Sequence, residues 1–341
     1  MGILDWFKKR PGKFDPDRVS DEMIDWAVEK AITLTNPRLK LLPTSSRLLA
    51  PAVETTIKFL RAQASALPAV HTLSSKSWPV DPVLQAFFVA PADIEGVLGA
   101  SDNLRTLFGK YPELDEAYAV LGMALKIQPV FGMALQGDMV QRDVAQTSAS
   151  FSDHRTRLCD RDESRLRRVV GVAVFEYLLA QALFEIGQER VERQDLQTSR
   201  SLIRTRLRLL QQHGPGLGSI FGEVPAAQSE QARLAAELLE NERQLEELGG
   251  NSVLEAELEC LRDVLDNPQR YLHFEPGHLR LNRMNLVLDE GISDAAADVR
   301  FSVIELKGHL PMRRAFVMAR VPRAELPPPK KVDFDDASRY L

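Results

Sequence analysis

The sequence predicts a predominantly α-helical α+β protein with three parts: a helical body, a long antiparallel coiled-coil hairpin and a small antiparallel β-meander. Three observations support this fold class. Between residues 160 and 267, apolar residues recur every three or four positions, as they do on one face of a helix. Two blocks of opposite charge lie within the same stretch. Between residues 279 and 321, apolar residues fall at alternate positions instead, which is typical of strands.

The composition is that of a folded protein. A chain of 341 residues can bury a full core without disulfides or metals, and its length corresponds to about two domains. Lys and Arg number 43 against 48 Asp and Glu, so the net charge of −5 gives no global attraction to nucleic acid or anionic lipid. Cys159 and Cys260 stand about a hundred positions apart and outside any CxxC pair, which excludes a disulfide framework.

Residues 1–19 read as an amphipathic N-terminal stub and a linker. The apolar Ile3, Leu4, Trp6 and Phe7 precede the basic Lys8–Arg10, and breakers follow between Pro11 and Pro16. We expect a frayed terminus, because two helical turns bury too little apolar surface to hold on their own. The alternative is peripheral attachment to a membrane, with the apolar residues in the surface and the basic ones on lipid phosphates. The charge order and the short apolar run do not fit a signal peptide.

Residues 20–159 are predicted to form the helical body. Helices are expected from Ser20 to Asn36 and from Pro51 to Ala64, followed by a connector that Trp78 pins to the core. Short helices are expected to follow, the last of them over Pro112–Ile127. A β-hairpin is predicted near residues 129–151, with a turn at 136–138; a helix over 138–146 is the alternative.

Residues 160–267 are predicted to form the long helical hairpin. One long helix, or two abutting ones, should run from about Glu163 to Gln212, and a turn should fall at 213–225. A second helix is interrupted at Gly249–Gly250 before a capping box at Ser252 and Glu255. The apolar window 169–186 has the length of a short membrane span. It includes two glutamates, which are costly in hydrocarbon, so we expect a buried core helix rather than a transmembrane segment.

The charges within this stretch favour folding it back on itself. The block from Arg190 to Arg208 contains six arginines and two acidic residues, and the block from Glu230 to Glu247 contains six glutamates and two arginines. An antiparallel hairpin would place the two blocks side by side. Exposed ion pairs contribute only about 0 to 1 kcal/mol each, so we expect charge to set the register and an apolar seam to supply the stability.

Residues 268–323 are predicted to form the meander, and residues 324–341 a flexible tail. The meander carries more basic than acidic side chains, a feature of some RNA-binding sheets. Such sheets also need exposed aromatic residues for base stacking, and only Phe301 and Phe316 are available. Nucleic acid is therefore not the expected partner.

The densest polar run of the chain, from Ser148 to Arg161, and the segment before it offer one candidate site. It comprises five residues: Arg142, Asp143, Asp153, His154 and Arg155. The side chains of the adjacent Asp153 and His154 diverge, so they make a poor general-base pair, and Cys159 as a nucleophile would need His154 on its own helical face. We expect Asp153 to cap the following helix instead. The sequence has no phosphate-binding loop and no metal-ligand spacing, and neither a catalytic site nor a cofactor is predicted.

These observations together predict a non-enzymatic cytoplasmic scaffold or adaptor that binds a protein partner, or a second copy of itself, through the coiled-coil hairpin. One alternative is an enzyme or small-ligand-binding protein with a site around residues 142–161. Another is a peripheral protein at the inner membrane face, attached through the N-terminal stub.

Overall fold

The structure is a computed structural model that describes residues 19–67, 70–136, 139–212, 224–247, 252–288 and 296–328. Several expectations therefore lie wholly or largely outside the described residues: the N-terminal stub, the turn predicted at 213–225 up to residue 223, the Gly249–Gly250 break, and the tail predicted at 324–341 beyond residue 328.

The described residues form eight α-helices and six β-strands, which confirms the α+β class. In chain order they are α1 (Asp21–Thr35), α2 (Ser45–Ser65), β1 (His71–Thr72), α3 (Pro82–Phe87), α4 (Pro91–Gly99), α5 (Asp102–Lys110), β2 (Glu116–Gln136), β3 (Met139–Asp160), α6 (Glu163–Gln212), α7 (Val224–Glu247), α8 (Val253–Asp266), β4 (Leu272–Leu281), β5 (Ala297–Leu306) and β6 (Met312–Pro322).

The chain divides into two compact units, each assembled from two stretches of sequence. The first unit comprises Met1–Phe59 and Glu176–Pro268, and the second comprises Leu60–Phe175 and Gln269–Leu341. The predicted segments were consecutive along the chain, whereas the division falls inside α2 and inside α6.

The first unit is helical, and its helices bury one apolar face each. Thr56 on α2 donates a hydrogen bond to the carbonyl oxygen of Leu265 on α8. The prediction that Ser252 caps α8 as part of a capping box is wrong, because its side chain makes no capping hydrogen bond. The buried apolar residues include Ala27, Val28, Ala31 and Ile32 on α1, Leu178, Leu179, Ala182 and Ile186 on α6, and Leu258, Leu261, Val264 and Leu265 on α8.

Ion pairs join α6 to α7 and to α8. Arg190 contacts Glu257 on α8 at 2.6 Å, and further along α6 Arg204 contacts Glu242 on α7, also at 2.6 Å. Arg206 contacts Glu230 at 2.7 Å. Partner numbers fall as residue numbers on α6 rise. The arginine block and the glutamate block of the sequence are thus in contact.

The second unit is built on a six-stranded sheet with the order β3-β2-β6-β5-β4. β4, β5 and β6 are successive antiparallel neighbours, as predicted for the meander. β2 pairs with β6, so the meander and the β2–β3 hairpin share one sheet instead of forming separate parts. The short β1 adds to β6 in parallel.

The helix predicted over Pro112–Ile127 is wrong, because β2 begins at Glu116 and the hairpin is longer than the expected 129–151. The physical reason is burial on both faces. Ala119 and Leu121 pack in the core on one face, while Tyr118 and Val120 pack against the cluster on the other. A strand buried on both faces loses its apolar and polar alternation, and its pattern cannot be told from that of a buried helix.

Helices cover one face of this sheet, where the larger core lies. Side chains of α3, α4 and α5 pack there against the strands, with Phe87 edge-on to Phe151 at 4.9 Å between ring centroids. Trp78 packs against the same core and donates its indole N–H to the Phe88 carbonyl at 2.9 Å, so it pins the connector as predicted. A smaller cluster around Leu67, Leu166 and Met318 occupies the opposite face.

By length and composition, α6 is the one helix among the described residues that is apolar enough to cross a membrane. An 18-residue window in it has a mean hydropathy of 1.8, and 39 % of that window is buried. Core helices of soluble proteins meet the same criterion. Within the first unit, Lys30 pairs with Glu176 of this helix at 2.5 Å.

Candidate functional site

All five residues of the predicted polar cluster lie on β3, where the strand spreads them apart. Arg142 and Asp143 sit at an irregularity where the pairing with β2 shifts between Gly132 and Ala134. Asp153 lies ten residues further along, and at about 3.3 Å per residue an extended strand puts roughly 30 Å between it and Asp143. The structure therefore does not bring the two halves of the predicted cluster together.

Asp153 occupies a bulge in β3, with a left-handed backbone at φ 49°. Its carboxylate accepts from Arg155 at 2.9 Å and contacts Arg314 on β6 at 2.6 Å. Hydrogen bonds from Arg314 and then Arg155 hold the pKa of Asp153 below its usual value. The expectation that Asp153 caps a helix is wrong, because the residue lies inside a strand and α6 begins only at Glu163.

His154 points into the protein and stacks on Phe88, with 4.5 Å between ring centroids. Burial lowers its pKa, although a hydrogen bond with the backbone of Phe87 and the charge of Asp93 oppose the shift. Its Nε2 atom is buried and has no hydrogen-bond partner in the described part of the chain. The ring is therefore neutral at pH 7. Because the carboxylate of Asp153 is engaged by two arginines, the neighbours form no acid–base pair.

The Cys159 thiol does not complete a nucleophile either. Burial, with a smaller effect of Asp160, raises its pKa to about 11, so the thiol stays protonated at neutral pH. Five residues of strand separate it from His154, a span of roughly 16 Å. The hypothesis of a catalytic pair at these two positions finds no geometry to support it.

The histidines of the C-terminal strands each contact a single carboxylate. His273 lies 3.5 Å from Glu275, and His278 lies 3.2 Å from Asp298. Within the described ranges, no three His, Cys, Asp or Glu side chains cluster closely enough to hold a metal ion.

Several basic side chains of the meander are engaged within the second unit. Arg313 contacts Glu275 and Arg320 contacts Glu116, while Arg323 donates to three backbone carbonyls. Phe301 and Phe316 are 3 % and 6 % exposed, so neither ring is free to stack on a base.

Comparison of the chain with protein-family models, curated proteins and solved structures finds no match.

The feature of the first unit that sequence reasoning missed is an exposed apolar stripe on α6. It consists of the exposed Val191, Leu202 and Leu209 together with the partly buried Phe184, and we call it the α6 stripe. Steps of seven and eleven residues are close to whole numbers of helical turns, so the four share one face. Val191, Leu202 and Leu209 are 60 %, 65 % and 48 % exposed, whereas Ile186 and Ile203 elsewhere on the helix are buried.

The surface along the first part of the stripe is open and mostly apolar. It extends from Leu183 to Ser199, with Gly187 as a small residue between them and the carboxylates of Glu192 and Asp195 beside it. A helix from another molecule can approach closely where a helix carries small residues. The signal in the sequence was the 7- and 11-residue spacing, which the buried face of the same helix obscured.

Proposed function

We propose that the protein is a non-enzymatic scaffold. In this proposal α6, α7 and α8 form an antiparallel coiled-coil hairpin, and the α6 stripe binds a helix of a protein partner or of a second copy. The observation that carries the proposal is the exposure of Val191, Leu202 and Leu209 on one face of a helix whose opposite face is already buried.

The charged contacts support the hairpin. Arg204–Glu242 and Arg206–Glu230 link α6 to α7 with side chains that are between 37 % and 60 % exposed. Exposed pairs of this kind contribute little stability, but wrong registers would bring like charges together, so they favour one alignment.

Two buried polar groups fit the same role. Glu257 on α8 accepts from Arg190 and from Asn36, and Asn241 on α7 is 6 % exposed with its Oδ1 atom unpartnered among the described residues. A polar side chain in an apolar seam costs stability and selects one register and partner arrangement.

The enzyme alternative has no comparable support. Its candidate residues are divided along β3, and the ionisable groups there are either paired with arginines, as Asp153 is, or kept neutral by burial, as His154 and Cys159 are. The membrane alternative rests on the N-terminal stub, which lies outside the described residues.

Site-specific photo-cross-linking tests the proposal. A benzophenone amino acid placed at Val191 or at Leu202 in the full-length chain should give a discrete covalent adduct, in cells or with the purified protein. The matched control is Gln197, which is exposed on the same helix about 120° around its axis. Equal labelling at all three positions, or none at Val191 and Leu202, would overturn the proposal.

A further inference from the structure

The face of β2 that forms the core of the second unit continues beyond the helices that cover it. The residues at alternate positions along this face are all apolar and uncharged: Ala117, Ala119, Leu121, Met123, Leu125, Ile127, Pro129, Phe131 and Met133. The register shifts between the strands each place the additional residue in β3, so β2 keeps its alternation in phase. Nine residues of one strand thus present a single apolar surface.

Only the first part of this apolar face of β2 is buried. Leu121 and Met123 are fully buried, whereas Ile127, Phe131 and Met133 are 53 %, 79 % and 67 % exposed. The change coincides with the end of the β2–β6 pairing, which extends from Glu116 to Met123. Beyond that point β2 pairs only with β3, and we call residues 124–136 and 139–152 the ribbon.

A cavity of about 200 Å³ lies at the base of the ribbon. Its lining is mixed. The apolar side chains of Val80, Pro82, Ala86 and Leu281 face it, and so do the polar ones of Gln85, Asn282, Arg283 and Asn285. The base is fixed there by backbone bonds, since the Ala149 N–H donates to the Asn285 carbonyl at 2.9 Å and the Val287 N–H donates to Thr147.

The exposed Phe131 cannot fill the cavity of its own chain. It pairs across the ribbon with Ala145, four residues along β3 from Ala149, and the extended backbone holds that separation at about 13 Å. In a two-fold arrangement with antiparallel ribbons, however, the tip of each ribbon lies over the base of the other. Phe131 of each copy then reaches the cavity of its partner.

A second copy suits this surface better than a bilayer does. β2 has no partner among the described strands on its outer edge beyond Met123, and hydrocarbon cannot satisfy the amide groups of an open edge. The exposed positions on the apolar face of β2 carry no charge, so two copies of it can face each other without like-charge repulsion.

The size of the face sets the strength of the contact. A two-stranded face about 30 Å long and about 10 Å wide covers roughly 300 Å² per copy, below the area of a standard interface. The dimer should therefore be weak and its formation dependent on concentration.

We propose that the ribbon is a self-association surface, through which two copies pack face to face with antiparallel ribbons and insert Phe131 into the cavity beside Val80 of the partner. This inference uses a different unit from the α6 stripe and does not depend on the function proposed for it.

Cysteine cross-linking of mixed copies tests the arrangement. Full-length Phe131→Cys and Val80→Cys are purified separately, mixed, oxidised and analysed on non-reducing gels. A disulfide-linked dimer should form in the mixture and in neither variant alone, with the wild-type chain controlling for Cys159 and Cys260. Cross-linking by Phe131→Cys alone, or no product in the mixture, would overturn the antiparallel arrangement.

Sedimentation of the full-length chain supplies a second readout that does not need a new thiol. The average mass should rise above 38.2 kDa with concentration, and Phe131→Glu should abolish the rise without changing the melting temperature, because the side chain is exposed. Gln128→Glu, on the other face of the same strand, should leave the rise unchanged. If Val191→Glu, on the α6 stripe, abolishes it and Phe131→Glu does not, association uses α6 and the ribbon proposal fails. A wild-type chain that stays at 38.2 kDa throughout also refutes the ribbon proposal, while photo-cross-linking to a different protein partner would still stand.

Discussion

Arg190 on α6 donates from Nε to Oε1 of Glu257 on α8 at 2.6 Å, and Asn36 donates to the other oxygen of the same carboxylate. Glu257 has only 5 % of its side chain exposed, whereas Arg190 remains half exposed. One buried carboxylate therefore ties together α6, α8 and the segment that follows α1.

Removing Arg190 should destabilise the first unit. Arg190→Ala leaves the Glu257 carboxylate buried with one hydrogen bond fewer, and we expect a loss of about 1.5–3 kcal/mol in the free energy of unfolding, measured by urea denaturation. Arg204→Ala is the control, because it breaks an ion pair of similar length between exposed side chains and should cost less than about 1 kcal/mol. Equal losses for the two variants would contradict the role given to Glu257.

The same carboxylate should make stability depend on pH. Burial would raise the pKa of Glu257, but the hydrogen bonds from Arg190 and Asn36 and the nearby arginine charges outweigh it and lower the pKa in the folded state. The contribution of this carboxylate to the free energy of unfolding is then fully present above a pH of about 4.3, its pKa in the unfolded chain. It is lost as the pH falls through the lower pKa of the folded state. The stability advantage of the wild type over Glu257→Gln should shrink below about pH 4.5. Glu255→Gln, an exposed position on α8, should show no such trend, and a constant difference for Glu257→Gln would refute the assignment.

Asn241 should be a site where an apolar residue stabilises the protein. Its Oδ1 atom is buried without a partner among the described residues, and Leu at that position would remove the desolvation cost. We expect Asn241→Leu to raise the free energy of unfolding by about 1–2 kcal/mol, while the α6–α7 alignment becomes less specific. A loss of stability would indicate that the amide has a partner in solution.

Two glycines should respond to alanine in opposite directions. A Cβ at Gly277 on β4 would overlap the buried ring of Phe301 on β5, and we expect Gly277→Ala to cost about 1–3 kcal/mol. Gly171 on α6 has open space around it, so Gly171→Ala should stabilise by about 0.5–1 kcal/mol through helix propensity. Thermal denaturation of both variants checks the pair; equal shifts would mean that the packing at Gly277 differs from that described.

The charge pattern was the part of the sequence that best predicted contacts within the first unit, because blocks of opposite charge attract each other. The contacts Arg204–Glu242 and Arg206–Glu230 join the two blocks that the sequence singled out. The β-meander was also predictable, since β5 keeps its alternation, with Val299 and Phe301 buried on either side of the exposed Arg300.

The polar cluster of β3 was misjudged for a geometric reason. Residues that are close in sequence lie close together on a helix, but a strand separates Asp143 from Asp153 by roughly 30 Å. The left-handed backbone of Asp153 depends on a bulge, and a bulge is set by pairing with β2 rather than by the residue itself. Exposed stripes such as that of α6 are likewise visible only once the buried face of the helix is known.

The most direct test of the account is the distance between spin labels on α6 and α7 in the full-length chain. Labels at Ser201 and Leu239, both exposed, can be introduced as cysteines after Cys159 and Cys260 are replaced by serine. Antiparallel neighbours with axes about 10 Å apart should give a narrow distribution centred between about 15 and 25 Å. A distribution centred near 57 Å, the separation of these residues along one continuous helix axis, would contradict the hairpin and the scaffold function proposed from it.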